Sequence, residues 1–97
     1  MELKPIYDTR KSFYKKAYTE TQKTPIETSI LLYSYGTNVA SIIYNYEKET
    51  ITFNNYGRYS QTTTRHQKEF FRQYGYDLSD AEIKEIFKSG KLEIKMR

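Results

Sequence analysis

The chain has 97 residues, 37% of them hydrophobic, no cysteine and a net charge of +4. That length supports one core, burying somewhat more than ~60% of the unfolded surface, and leaves no room for two. Tyr supplies 11 residues and Phe 5, so the core must be largely aromatic, while the missing cysteines exclude disulfides and zinc thiolates and fit a reducing compartment. The opening MELKPIYD has no apolar leader, and the longest wholly apolar or aromatic run is Ile30 to Tyr33. The expectation is therefore a cytoplasmic protein with no signal peptide and no membrane span.

In chain order, residues 1–12 contain Pro5 and an Asp8-Thr9 turn signal, which predict an extended start and a tight turn. Phe13 to Thr21 alternates in part and predicts a first strand, with Phe13, Ala17 and Thr19 on one side. Gln22 to Ile26, with Pro25, predicts a loop. The strongest strand signal is Glu27 to Ser34 followed by Asn38 to Asn45, joined at Tyr35-Gly36-Thr37, where Gly36 can take the positive φ of a hairpin turn. Both arms are apolar on both faces, which predicts a central position in the sheet. After a turn at Tyr46 to Glu49, Thr50 to Asn54 has only Ile51 and Phe53 as apolar residues and reads as an edge strand.

Tyr59 to Gly75, YSQTTTRHQKEFFRQYG, reads as an amphipathic helix. Steps of 100° place Thr63, Gln67, Phe70 and Tyr74 on one side, His66 and Phe71 on its shoulders, and Arg65, Lys68 and Arg72 opposite. Ser60 or Thr62 would cap it, and Gly75 would end it in the αL conformation. A second helix begins at the capping box Ser79-Asp80-Ala81-Glu82, with Leu78 and Ile83 as a hydrophobic staple and Ile83, Ile86 and Phe87 facing inward. Ser89-Gly90 stops it. The tail Lys91 to Arg97 alternates Leu92, Ile94 and Met96 with charged residues and favours a short terminal strand. The fold class expected is α+β: an antiparallel four-stranded meander, with a possible fifth C-terminal strand, and two C-terminal helices packed on one face. The other face of the sheet is either a small second core under the N-terminal segment or a binding surface.

Three blocks carry a resemblance: Asp8-Thr9-Arg10-Lys11-Ser12-Phe13-Tyr14-Lys15-Lys16-Ala17, Tyr33-Ser34-Tyr35-Gly36-Thr37-Asn38-Val39-Ala40, and Tyr59 to Phe70. In order and spacing the chain resembles a family of small phage and Gram-positive bacterial proteins of unknown function, with a pattern near DSRKSFYGKA, SYxTxVA and YSxTTxRHxxEFL over about residues 8–75. Lys15 stands where that pattern usually has Gly. The resemblance implies a phage or mobile-element origin, a bacterial host cell, and a binding role toward host defence machinery or nucleic acid. Arg10, Lys11, Arg65 and His66 match the pattern although a core alone would not require them.

Catalytic signatures are weak. His66 is the only histidine; nucleophilic catalysis through it would need an orienting group and an oxyanion site that the sequence does not signal, so it reads as a partly buried structural residue. The carboxylates Asp77, Asp80, Glu82 and Glu85 do not match a calcium loop. Glu93-Ile94-Lys95 has the acid-x-Lys spacing of metal-nuclease strands, but such a site also needs an Asp on a neighbouring strand, which no predicted strand offers, and an alternating exposed strand produces this spacing by default. No phosphate-cradling glycine loop is present. Hence no catalytic residue, metal or cofactor is assigned.

Charge carries the remaining signal. Residues 1–24 and 58–75 each carry a net +3, residues 25–57 carry −2, and residues 76–97 balance. The candidate binding residues are Arg10, Lys11, Lys15 and Lys16 in the first block and Arg58, Arg65, Lys68 and Arg72 in the second. They could neutralise phosphates while surface Tyr stacks on unpaired bases; equally, the helix face could be simply solvated, with Glu69 pairing to Arg65. The function expected is a non-enzymatic accessory protein that binds a host nucleoprotein or nucleic acid. The alternative is an occluding inhibitor of a host defence protein, an anti-CRISPR protein being one example. Oligomeric state is not legible.

Overall fold

The structure is a computed structural model that describes residues 1–8, 12–13, 16–57, 59–75 and 78–96. It contains a five-stranded antiparallel sheet, β1 (Ala17–Lys23), β2 (Glu27–Ser34), β3 (Thr37–Asn45), β4 (Thr50–Asn55) and β5 (Lys91–Lys95), with two helices, α1 (Gln61–Tyr74) and α2 (Asp80–Ser89), between β4 and β5. The strands lie in sequence order, β1-β2-β3-β4-β5, so the sheet is a meander closed by its C-terminal strand. Among the described residues no helix is long and apolar enough to cross a membrane.

Register follows from the side-chain alternation. Across the sheet, Ala17 faces Ser34, Thr19 faces Leu32, Leu32 faces Ala40, Ile42 faces Phe53, Phe53 faces Leu92 and Ile51 faces Ile94. These residues make one apolar face. A bulge between Leu32 and Tyr33 shifts the β2/β3 register, and both Val39 and Ala40 are buried there. The β2–β3 turn has two residues, Tyr35 and Gly36, both at positive φ (52° and 81°), the geometry that matches strand twist in a tight hairpin.

Helix α1 crosses the apolar face, and Phe70 and Phe71 are both fully buried. Adjacent residues on a helix point 100° apart, so burying both requires partners on two sides. The sheet supplies one through Phe53, edge-on to Phe71 at 6.4 Å, and α2 supplies the other through Phe87, perpendicular to Phe71 at 6.0 Å. Each buried Phe contributes about 1.5–3 kcal/mol of transfer free energy. Ile83 and Ile86 complete the layer from α2.

The N-terminal segment belongs to the helix side. Met1 to Leu3 pair with the outer edge of β1 through Leu3 N–H to Ala17 O (2.9 Å) and Thr19 N–H to Met1 O (2.7 Å), and Leu3 enters the core. Residues 4–8 then run along α1 as a strap. The opposite face of the sheet is therefore not covered by this segment. It carries Tyr18 stacked on Tyr33 at 5.0 Å, with Leu31 and Ile43 half-buried beside them.

Several expectations require correction. The first strand begins at Ala17 and runs to Lys23, through the expected loop, because β2 offers partners as far as Thr28. Phe13 leaves the strand and is buried in the core, its carbonyl closing a turn with Lys16 N–H. Strand β4 is not at the edge: β5 pairs with it from Asn54 to Thr50. Gly75 ends α1 at φ −83°, outside the αL region; a β-carbon there would overlap the Phe71 carbonyl oxygen and the Leu78 side chain, so space rather than φ requires glycine. The αL ending is at Gly90, φ +84°, whose N–H bonds to Ile86 O.

Candidate functional site

Start signals place both helices. Ser60 caps α1 by accepting from Thr63 N–H, and Ser79 with Glu82 forms the reciprocal capping box of α2. With α1 fixed by its buried residues, Arg65, Lys68 and Arg72 fall on the exposed side and form the floor of a groove. One wall is the strap, through Tyr7 and Asp8. The other is α2, through Asp80, Ile83, Lys84, Phe87 and Lys88.

The groove consists of three adjoining cavities of about 570, 610 and 440 Å³. Arg72 lines all three; Tyr59, Thr64 and Lys68 line the first two; Tyr7 lines the first and third. Five cationic side chains face it, Arg65, Lys68, Arg72, Lys84 and Lys88, against the carboxylates Asp8, Glu69 and Asp80. Arg65 pairs with Asp8 at 2.9 Å, Arg72 is 3.9 Å from Asp80, and Lys68 lies 6.0 Å above the Phe87 ring. Among the described residues Lys84 and Lys88 make no ion pair.

Glu69 departs from the sequence reading. It does not pair with Arg65. It is 2% exposed and accepts from Tyr7 N–H (2.9 and 3.2 Å), Asp8 N–H (2.9 Å) and Gln73 Nε2 (2.6 Å), while Gln73 also donates to Lys4 O at 2.6 Å. Its charge thus anchors the strap, and Asp8, turned by that anchor, takes Arg65. A helix glutamate one turn from an arginine reads as a surface partner; only the arrival of the N-terminal segment buries it.

His66 is fully buried, deeper than the expected edge position. Its Nδ1 lies 2.8 Å from Ser34 Oγ, which is 3.0 Å from Thr63 Oγ1, and Phe13 packs edge-on to the ring at 4.5 Å. A Ser and His in contact resemble a nucleophilic pair, but Ser34 and Thr63 are only 2% and 5% exposed and their hydroxyls bond to each other within the cluster. The cluster is a hydrogen-bonded polar seam between β2 and α1. Among the described residues no group of three or more His, Asp or Glu is placed to hold a metal ion. Glu93, the acid of the Glu-x-Lys spacing, is exposed and accepts from Thr52 Oγ1 at 3.3 Å.

The expected binding residues separate into three sets. Arg65, Lys68 and Arg72 are brought together in the groove. Lys16 lines none of the three cavities, its Nζ lying 5.6 Å above the Tyr35 ring. Arg10, Lys11, Lys15 and Arg58 lie outside the described residues. Sequence reading missed Lys84 and Lys88. Their i, i+4 spacing, offset from Ile83 and Ile86, was the available signal that α2 has a basic side of its own.

A family model described as "Family of unknown function (DUF8033)" matches residues 1–89, covering the strap, four strands and both helices. No curated protein and no solved structure matches the chain. The chain therefore belongs to the family of unknown function DUF8033.

Proposed function

We propose that this protein is a non-enzymatic accessory protein, of phage or mobile-element origin, that binds nucleic acid, free or within a host nucleoprotein, through the groove over α1. The observation that carries this reading is the continuity of three cavities through Arg72, with cations on floor and far wall and with Glu69 withdrawn from the surface. Phosphate oxygens would replace water around Lys68, Lys84 and Lys88 and compete with Asp8 and Asp80 for Arg65 and Arg72. The test is fluorescence anisotropy with labelled oligonucleotides at low salt. Lys68→Glu combined with Arg72→Glu is expected to abolish binding, and absence of binding by the unaltered protein overturns the reading.

Occlusion of a host defence protein is a second reading, favoured by the Tyr18/Tyr33/Leu31/Ile43 sheet face, which among the described residues the N-terminal segment leaves uncovered. It predicts stoichiometric co-purification of one host protein, lost on Leu31→Glu. A preparation from infected cells without such a partner contradicts it.

A further inference from the structure

Among the described residues six tyrosines are exposed: Tyr7, Tyr18, Tyr35, Tyr46, Tyr56 and Tyr59. Four of them are engaged within the fold. Tyr18 stacks on Tyr33, Tyr35 lies beneath Lys16, Tyr46 donates to Thr28 Oγ1 at 2.8 Å, and the Tyr56 hydroxyl is 2.7 Å from Ser41 Oγ. Tyr7 and Tyr59 differ. Among the described residues their side chains make no hydrogen bond and no ring contact, they are 58% and 44% exposed, and both line the same basic cavity above Arg65, Lys68 and Arg72.

We infer that the groove takes single-stranded rather than duplex nucleic acid, with Tyr7 and Tyr59 as the side chains on which unpaired bases stack; this rests on the groove being a nucleic-acid interface. A free aromatic ring beside a row of cations is the pairing that single strands require, because backbone charge and base faces must be met together. Duplex recognition by a helix needs that helix to project into a groove about 12 Å wide, whereas α1 is recessed. The strap rises on one side of it through Tyr7 and Asp8 bonded to Glu69, and α2 on the other through Phe87 against Phe71. Flanked on both sides, α1 is not placed to project into a duplex groove, whereas a flexible strand can follow the cations along it.

Affinity is measured by anisotropy for a short labelled oligothymidylate, for a hairpin duplex of equal phosphate count, and by competition for inorganic polyphosphate, which has charge and no bases. The expected result is tighter binding of oligothymidylate than of the hairpin. Tyr59→Ala and Tyr7→Ala each weaken oligothymidylate binding by about 5- to 150-fold, leave polyphosphate binding unchanged, and Tyr59→Phe retains affinity. Circular dichroism of the exposed-site variants verifies the fold. Equal affinity for both nucleic acids, or unchanged oligothymidylate affinity in both alanine variants, overturns the single-strand assignment while the anion-binding groove stands. Failure of the unaltered protein to bind any of the three ligands at low salt overturns the groove reading itself.

Discussion

Replacing Glu69 by Gln tests the element on which the groove's near wall depends. The carboxylate is 2% exposed; its Oε1 accepts from both Tyr7 N–H and Asp8 N–H, and its Oε2 accepts from Gln73 Nε2. In the glutamine variant one oxygen can keep the two backbone donors, but an NH₂ group then meets the Gln73 NH₂. Turning the Gln73 amide to resolve that places its oxygen against Lys4 O, where it now donates. One charge-assisted bond is lost and two are weakened. Hydrogen bonds to charged groups contribute about 1.5–3 kcal/mol each, so the net loss is about 2–3 kcal/mol. For a domain of this size that lowers Tm by about 10 to 20 °C. The assay is thermal and urea unfolding followed by circular dichroism, with amide hydrogen exchange at Tyr7 and Asp8 as a local readout, expected to accelerate. Were Glu69 an ordinary i, i+4 surface partner of Arg65, the cost would be about 0.3–0.5 kcal/mol. A loss below about 0.5 kcal/mol on that scale, with protected Tyr7 and Asp8 amides, would refute the anchoring argument.

Other substitutions probe the same framework. Ser34→Ala removes the hydroxyl between Thr63 and His66 and is expected to cost about 1–3 kcal/mol in urea unfolding; a neutral variant would show that the seam is not stabilising. Ser79→Ala deletes the acceptor of Glu82 N–H and should cost about 1 kcal/mol, with Ser79→Asp restoring most of it. Gly75→Ala is expected to destabilise more than Gly90→Ala, although only Gly90 has positive φ, because the added carbon at Gly75 overlaps backbone whereas at Gly90 it stops 3.4 Å from Asn55 O. The reverse order in thermal unfolding contradicts the steric explanation.

What was legible in the sequence was local. Apolar runs on either side of the Gly36 turn located β2 and β3, and the alternation of Ile51 and Phe53 located β4, almost to the residue, while the Ser79/Glu82 capping box located the start of α2. The tail alternation of Leu92 and Ile94 predicted β5 but could not say that it would cover β4. Sequence reading went wrong where distant segments decide the outcome. Glu69 looks solvent-facing until Tyr7 and Asp8, about 60 positions earlier, bring two N–H groups to it. Phe13 continues the alternation of the first strand and yet turns into the core, since β2 ends its pairing at Ser34 with Ala17. Gly75 and Gly90 both follow a helix, and only the close approach of the Phe71 carbonyl and the Leu78 side chain at Gly75, against the positive φ of Gly90, separates steric need from conformational need. For the site, helical periodicity grouped Arg65, Lys68 and Arg72 correctly, while the contribution of Lys84 and Lys88 required the packing of α2 beside α1.

The most direct test of the central claim is the salt dependence of oligonucleotide binding. Neutralising three to five phosphates on a single strand gives a slope of log Kobs against log salt of about −2 to −3.5. A slope in that range is expected for the unaltered protein and one near zero, with little residual affinity, for Lys68→Glu with Lys84→Glu. Binding that is absent at low salt, or equally strong in the charge-reversed protein, would contradict it.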